Sequence, residues 1–319
     1  MRQTTRTLTT LAGVALAFTA LGAGLATSCA HSPRAVDEHD HGTPSPGAAA
    51  TTRSTVTTTT TTTTAAPPGA ADAADRLAKS PRHGEWAFIK VGASDSVRAW
   101  VVYPERSTKA PVVVLIHDIF GMGNWIRAMA DQAAADGFIA IAPDLLTGHV
   151  AAVGDSVDAT QARTAIGQLD QGEIQRRIDA VADWGMALPA ATPRYGITGF
   201  CWGGGITWAH VAAAADRATL GAAVPFYGPV SPDVRAGLER AKAPTLAMYA
   251  ENDARVNAMI PATDSAFAKA GARLEKEVYP GAGHGFVRGQ EGMNGANREA
   301  ALKAWPRTVA WFRQNLEGR

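Results

Sequence analysis

Apolar residues along positions 83–317 fall into blocks of two kinds, and the two kinds alternate along the chain. Short runs rich in β-branched residues, such as Pro111–His117, are typical of strands that are covered on both faces. Longer stretches, such as Glu173–Leu188, repeat their apolar residues at helical spacing. This alternation predicts an α/β fold with a mostly parallel, doubly wound sheet that is flanked by helices.

The same pattern locates the individual elements. The predicted strands are Glu85–Val91, Val97–Tyr103, Pro111–His117, Phe138–Ala142, Tyr195–Gly199, Leu220–Phe226, Pro244–Tyr249 and Leu274–Tyr279. The predicted long helices are Trp125–Gly137, Glu173–Leu188 and Ala296–Leu316, with further helical stretches between the later strands. In such a fold the functional side chains lie in loops at the carboxyl ends of strands, so we look for chemistry there.

The first 28 residues have a pattern that is typical of an export signal. Two arginines within Met1–Arg6 precede the uncharged stretch Leu11–Ala26, and small residues follow it. A membrane-spanning helix needs ~20 apolar residues, whereas this stretch is shorter and rich in glycine and alanine. We therefore expect a signal peptide at residues 1–28 and an exported protein.

Cys29 directly follows Ala26, Thr27 and Ser28. This arrangement resembles a bacterial lipoprotein signal, in which small residues precede a cysteine that becomes the lipidated N-terminus. The departure is Ala26, where that signal usually carries leucine. The resemblance implies a cell-envelope lipoprotein held at a membrane through Cys29. The alternative is an ordinary signal peptide and a secreted protein.

Residues 29–82 are rich in threonine, alanine and proline, and they include eight consecutive threonines at Thr57–Thr64. Such a segment cannot bury enough apolar surface to offset its ordering entropy. We therefore expect a disordered tether over residues 29–82 and a folded domain over residues 83–319. Asp37–His41 has metal-ligand residue types, but in a tether it is more typical of a solvated charged run.

Composition excludes several classes of protein. Among 319 residues, Lys+Arg number 30 and Asp+Glu 29, so the net charge of +1 supplies no basic field for nucleic acid. Two cysteines exclude a disulfide-dense scaffold and a four-cysteine zinc site. Nothing in the sequence calls for a metal or an organic cofactor.

The sharpest local feature is Gly199–Gly204, which lies between a predicted strand and a helix. It has the form Gly-x-nucleophile-x-Gly of a strand-to-helix elbow, with Cys201 at the nucleophile position. The start of the helix favours a thiolate at this place, and Trp202 offers a backbone N–H to an oxyanion. A lone motif of this kind is equally typical of a buried structural cysteine, so its partners decide the interpretation.

Candidate partners follow later strands. Asp253 follows Pro244–Tyr249, and His284 follows the last predicted strand between two glycines. The order nucleophile, acid, histidine is the chain order of α/β-hydrolases. The other histidines of the domain are His83, His117, His149 and His210. We assign His83 and His210 structural positions and His117 a supporting one, and His149 has no evident partner.

Together these features resemble the dienelactone hydrolase family. The matching residues are Asp118–Gly121, Ala142–Leu145, Gly199–Gly204, Phe226–Gly228, Asp253 and Gly283–Phe286. The resemblance covers about residues 86–317 and implies an α/β-hydrolase fold. It also implies a catalytic triad of Cys201, His284 and Asp253, with an oxyanion hole formed by the backbone N–H groups of Ile119 and Trp202.

The resemblance implies further roles. Asp118 stands where the family usually has a glutamate that interacts with the resting thiol, so Asp118 is a thiol-gating candidate that is one methylene shorter. Arg288 matches an arginine that holds the substrate carboxylate, and Arg163 is a candidate for a second. The expected pocket walls are Ile119, Phe120, Trp202, Tyr227 and Phe286. For Phe120 and Tyr227, plain core packing is an equal alternative to a pocket wall. For Arg288, a surface salt bridge is an equal alternative to substrate binding.

The sequence therefore predicts a cofactor-free hydrolase of small esters or lactones, anionic ones included, which works through a thioester. The resemblance implies that it is of the carboxymethylenebutenolidase type. One alternative is a general carboxylesterase on the same fold. Another is a non-catalytic surface lipoprotein with a vestigial site. A redox thiol protein is disfavoured because no second cysteine lies near Cys201 in the sequence.

Overall fold

A computed structural model describes residues 66–317. The predicted signal peptide, Cys29 and most of the predicted tether lie outside the described residues. The strands are β1 (Gly84–Val91), β2 (Asp95–Val102), β3 (Ala110–Ile116), β4 (Ile139–Asp144), β5 (Ala152–Val153), β6 (Ser156–Val157), β7 (Ala191–Phe200), β8 (Leu220–Phe226), β9 (Thr245–Asn252) and β10 (Leu274–Gly283).

The helices lie between these strands and at both ends of the described chain. They are α1 (Ala73–Lys79), α2 (Asn124–Ala135), α3 (Ala159–Ile166), α4 (Gln171–Met186), α5 (Trp202–Ala213), α6 (Pro232–Leu238), α7 (Ala254–Asn257), α8 (Ile260–Ala270) and α9 (Ala296–Leu316). Among these described helices, none is long and apolar enough to cross a membrane.

Eight strands form one sheet in the order β1-β2-β4-β3-β7-β8-β9-β10. Strand β2 runs antiparallel to β1 and to β4, and all other neighbours are parallel. Every residue of β3, β4 and β8 is buried. Because successive side chains of a strand point to opposite faces, both faces of the sheet must be covered there. The predicted α/β-hydrolase fold is confirmed.

The parallel strands bring the predicted site residues to one edge of the sheet. Strand β7 ends immediately before Cys201, β9 before Asp253 and β10 before His284, while His117 and Asp118 follow β3. Carboxyl ends of parallel strands meet at the same edge. Residues that are far apart in the sequence therefore become neighbours in space.

The main difference from the sequence prediction lies at residues 66–82, which we assigned to the tether. In the structure they contain α1, which packs on α2. The helix is rich in alanine and carries the ion pairs Arg76–Asp72 and Lys79–Asp75 at helical spacing. The folded domain therefore includes residues before the predicted boundary at 83.

A second difference lies between β4 and α4, where the sequence analysis assigned no helix or strand. This connection contains the small antiparallel pair β5–β6 and helix α3. Asp158 caps α3 by accepting hydrogen bonds from the backbone N–H groups of Thr160 and Gln161. Helix α3 carries Arg163, so this connection brings one of the candidate arginines to the site.

Candidate active site

Cys201 occupies a strained backbone position at the turn from β7 into α5. Its φ is 57° and its ψ is −114°, a conformation that non-glycine residues rarely adopt. A Cβ atom at Gly199 would lie 2.2 Å from the carbonyl oxygen of Gly203, and one at Gly203 would lie 2.3 Å from that of His117. The two glycines therefore let the strand, the helix and the turn after β3 approach closely enough to form the elbow.

His284 lies between Cys201 and Asp253. Its Nε2 atom is 3.0 Å from the Cys201 Sγ atom, and its Nδ1 atom is 2.5 Å from Asp253 Oδ2. Because a carboxylate can only accept, Nδ1 carries the proton and Nε2 is free to accept one from the thiol. Asp253 is buried and also accepts, through Oδ1, from the Val256 N–H at 3.4 Å. The three predicted side chains are thus brought together in one hydrogen-bonded row.

Burial raises the pKa of the Cys201 thiol above its ordinary value, and the carboxylates of Asp118 and Asp253 add to that rise. The Trp202 N–H and the Arg255 side chain act in the opposite direction but are outweighed as a set. The backbone N–H at the start of α5 acts in the direction that the sequence predicted, because it favours the thiolate. Burial raises the thiol pKa by more than this N–H lowers it.

Asp118 is buried in the turn after β3. Its Oδ1 atom accepts from the Phe120 N–H at 2.9 Å, and its Oδ2 atom lies 3.4 Å from Arg288 Nη1. Burial raises the pKa of Asp118, and Arg288 opposes that rise. In this arrangement the carboxylate is held by Phe120 and Arg288, while the hydrogen-bond partner of the Cys201 thiol is His284.

Both candidate arginines converge on the ring of Phe120. The guanidinium carbon of Arg163 is 4.6 Å from the ring centroid, and that of Arg288 is 4.3 Å from it. These distances are typical of cation–π contacts. The structure thus brings two cations from distant parts of the chain next to the turn that also contains Ile119.

Residues 97–316 match the sequence profile of the dienelactone hydrolase family. The chain belongs to the dienelactone hydrolase family. It is a hydrolase that acts on lactone or ester bonds.

The chain is also similar to individual proteins of this kind. A carboxymethylenebutenolidase-like protein of Salmonella typhi is 31% identical over 266 residues, covering 77% of this chain and 95% of the relative. One of Escherichia coli is 30% identical over 234 residues, covering 69% and 83%. The crystal structure of a dienelactone hydrolase-like protein of Klebsiella pneumoniae matches with a TM-score of 0.62 at 26% identity, covering 73% of this chain and 99% of that one.

In this dienelactone hydrolase family member, Tyr227 packs against His284, and Phe286 packs on Tyr227. Each is almost completely buried, and the ring of Tyr227 meets those of His284 and Phe286 edge-on at centroid distances of 5.1 Å. Residues without exposed surface present no open wall to a ligand. For Tyr227, which supports the His284 ring, this agrees with the core-packing alternative, whereas for Phe286 it differs from the expected pocket-wall role.

Trp202, at the start of α5, and Ile119, in the turn after β3, are both half-buried. The ring of Trp202 stacks on that of His117 at a centroid distance of 5.2 Å, and His117 Nδ1 contacts the Asp118 carbonyl oxygen at 2.8 Å. His117 therefore joins the turn that contains Ile119 to the start of α5. This agrees with the supporting position that the sequence analysis gave it.

The other histidines of the domain have partners away from Cys201. His210 is buried, and it contacts Tyr195 at 2.7 Å and Gln175 at 2.9 Å. Burial lowers its pKa to about 3. His149 Nε2 contacts Glu173 at 2.8 Å, a partner that the sequence analysis did not identify. These contacts explain the two histidines without a role in the site.

The sequence analysis missed Arg255 and Trp125. Arg255, two residues after Asp253, is the cationic side chain that lowers the pKa of the Cys201 thiol. The Trp125 ring lies 5.2 Å from the guanidinium carbon of Arg288. Trp125 was predicted only as a helix residue, and no spacing rule connects it with a position far along the chain. Arg255 could have been found from its position two residues after Asp253, whereas only the tertiary fold reveals Trp125.

Proposed function

We propose that this hydrolase opens small esters or lactones with Cys201 as the nucleophile, through a thioester intermediate. The observation that carries the proposal is the row Cys201–His284–Asp253, with contacts of 3.0 and 2.5 Å. A nucleophile within reach of a base that is itself oriented by a third group is the arrangement that nucleophilic catalysis requires.

In the acylation step the neutral thiol gives its proton to His284 Nε2 while Sγ attacks the carbonyl carbon of the substrate. Asp253 orients the ring through Nδ1 and stabilises the imidazolium that forms. The tetrahedral intermediate then collapses, the carbon–oxygen bond of the ester breaks, and the leaving oxygen takes the proton from Nε2. A raised thiol pKa is compatible with this route, because the base removes the proton during the attack rather than before it.

The developing oxyanion is stabilised by the backbone N–H groups of Ile119 and Trp202. The proposal is supported by the position of these residues on two adjoining segments, the turn after β3 and the start of α5. One such donor is worth about 3–4 kcal/mol of transition-state stabilisation. Neither donor is a side chain, so a substitution that shifts either backbone segment would weaken the hole.

In the deacylation step a water molecule attacks the thioester. His284 Nε2 accepts its proton, the carbon–sulfur bond breaks, and the proton returns to the sulfur as the carboxylic acid leaves. The cycle restores the neutral thiol and needs no metal or redox partner to balance. Water enters on the side where His284 is partly exposed.

We further propose that the substrate carries a carboxylate, which Arg288 and Arg163 bind beside Phe120. The convergence of both cations on one ring supports this. The name of the Salmonella and Escherichia relatives, carboxymethylenebutenolidase, denotes a lactone with such a group. An incoming carboxylate would compete with Asp118 for Arg288. Asp118 would thereby be released next to the thiol, as a thiol-gating residue requires.

Export and lipidation at Cys29 are proposals that rest on residues 1–29 alone. A lipid anchor would hold the hydrolase at the cell envelope, and without one it would be secreted. The substrate would then be met outside the cytoplasm. This part of the proposal is independent of the chemistry at Cys201.

The experiment that tests the mechanism replaces each of the two cysteines in turn. Cys201→Ala should reduce hydrolysis of aryl esters and lactones by about 10³-fold or more, with an unchanged melting temperature. Cys29→Ser is the matched control and should retain full turnover. Wild-type turnover in purified Cys201→Ala would overturn the mechanism.

A further inference from the structure

Residues 66–72, which we call the N-terminal strap, pack against the loop that carries Arg288. Pro67, Pro68 and Gly69 are buried, although their composition is that of a linker. A Cβ atom at Gly69 would lie 3.4 Å from the Gln290 side chain and 3.6 Å from the Arg288 carbonyl oxygen. The strap thus lies in direct contact with this loop.

Three hydrogen bonds hold the strap there. Gln290 Nε2 donates to the Pro67 carbonyl at 2.9 Å, and Trp125 Nε1 donates to the Pro68 carbonyl at 3.0 Å. In the other direction, the Ala70 N–H donates to the carbonyl of Arg288 at 2.8 Å. Gln290 and Trp125 are both buried, so loss of these bonds would leave polar groups without water to replace them.

The strap is also fixed on its far side. Arg76 of α1 donates to the Ala66 carbonyl at 2.8 Å. Beyond α1, Ser80 and Arg82 both bind the Asp131 carboxylate on α2, at 2.5 and 2.6 Å. The strap is therefore anchored to the body of the domain as well as to the Arg288 loop, and it can restrain that loop.

The restraint reaches Arg288 from two directions. The Ala70 N–H holds the carbonyl group of Arg288, and the Arg288 N–H donates to the Gly285 carbonyl at 3.0 Å. Its guanidinium carbon lies 5.2 Å from the centroid of the Trp125 ring, whose N–H is bound by Pro68. The strap thus contacts both the main chain of Arg288 and a ring against which its side chain lies.

We infer that the N-terminal strap is a positioning element for Arg288, and that it sets the preference of the hydrolase for substrates with a carboxylate. The inference rests on the proposed function of Arg288. The strap touches neither Cys201 nor its row of partners in any described contact. Its disturbance should therefore affect the binding of anionic substrates and leave the attack on neutral esters unaffected.

The test uses the full-length protein and two variants that remove one strap hydrogen bond each. Gln290→Leu removes the donor to Pro67, and Ala70→Pro removes the donor to Arg288. Trp305→Phe is the matched control, because Trp305 is also buried and donates to Asp136 at 2.8 Å. The substrates are an aryl ester that carries a carboxylate and the same ester with a neutral carboxamide in place of that carboxylate. Arg288→Met is assayed in parallel.

We expect kcat/KM for the carboxylated ester to fall about fivefold to tenfold in Gln290→Leu and in Ala70→Pro, mainly through KM. For the neutral analogue it should change less than about twofold, and Trp305→Phe should change neither. In Arg288→Met the preference should also fall. Adding Ala70→Pro to Arg288→Met should reduce the preference no further, because both changes act through the Arg288 side chain.

The outcomes separate the two proposals. If Arg288→Met reduces the anionic preference but the two strap variants keep it, or slow both substrates equally, the positioning inference is overturned and the anion site stands. If Arg288→Met keeps the preference, the proposed anion site fails and the inference fails with it. A shared loss of preference, with melting temperatures equal to that of Trp305→Phe, supports both.

Discussion

The Nε2 atom of His284 lies 3.0 Å from the Sγ atom of Cys201, although 83 residues separate them in the chain. The contact exists because β7 and β10 are parallel members of one sheet and end at the same edge. Asp253, immediately after β9, contacts His284 Nδ1 and forms the other end of the row. The proposed chemistry depends on this geometry more than on any single residue type.

Replacing Asp253 by asparagine tests the end of the row that orients His284. The amide can donate to His284 Nδ1, which would place the ring proton on Nε2 and block acceptance of the thiol proton. We expect kcat to fall by about 10²- to 10⁴-fold with little change in KM, measured under substrate saturation. Asp233→Asn, at the exposed start of α6, is the matched control and should retain full activity. Unchanged kcat in Asp253→Asn would refute its orienting role.

The raised pKa of the Cys201 thiol predicts its pH-dependent reactivity. The thiol is neutral below its pKa and ionised above it, so alkylation by iodoacetamide should speed up only at a pH above that for an exposed cysteine. Because Asp118 contributes to the rise, Asp118→Asn should move the midpoint of the alkylation profile to lower pH.

Asp75→Asn, on the exposed side of α1, is the control for that profile and should leave the midpoint in place. The raised pKa of the Cys201 thiol also makes the stability of the fold depend on pH. A thiol whose pKa is raised on folding favours the folded state below its unfolded pKa, and this contribution is lost as the pH rises through the folded value. An Asp118→Asn midpoint at or above that of the wild type would contradict the assigned cause.

Gly203 should tolerate no side chain. A Cβ atom there would lie 2.3 Å from the His117 carbonyl oxygen and 2.6 Å from that of Ile116, which are backbone atoms that cannot rotate away. We expect Gly203→Ala to lower the free energy of unfolding by about 3 kcal/mol or more, measured by denaturant titration. Gly167→Ala is the control, because its nearest contact would be an ordinary 3.7 Å. Equal stabilities of the two variants would show that the elbow is not closely packed.

Lipidation at Cys29 is tested in cells. Expressed in a bacterial host and labelled with a radioactive or clickable fatty acid, the wild-type chain should incorporate the label, and Cys29→Ser should not. Cys201→Ala should still be labelled, which separates anchoring from chemistry. Label that persists in Cys29→Ser would exclude this residue as the lipidation site.

The predicted strands and the fold class follow from the sequence because β-branched runs and helical spacing are local signals. Pro111–His117, for example, was predicted as a covered strand, and β3 is completely buried. The positions of Cys201, Asp253 and His284 were also predictable, since each follows a strand in a recognisable order. Their spatial convergence then follows from the parallel sheet.

Other features depend on tertiary contacts that no local pattern encodes. Residues 66–69 have a linker's composition, yet the carbonyl groups of Pro67 and Pro68 accept hydrogen bonds from Gln290 and Trp125. The direction of the Cys201 pKa shift depends on burial and on two carboxylates from other loops. Likewise, the burial of Tyr227 and Phe286 depends on their packing on each other and on Phe226.

The most direct test of the central claim is detection of the acyl-enzyme. The hydrolase is mixed with an activated aryl ester, quenched in acid within the first turnover, and digested for tandem mass spectrometry. The account predicts an acyl group on the peptide that contains Cys201, in a quantity that approaches one per enzyme and disappears as turnover ends. Release of the aryl alcohol with no acyl group on Cys201, or with the group on another residue, would contradict it.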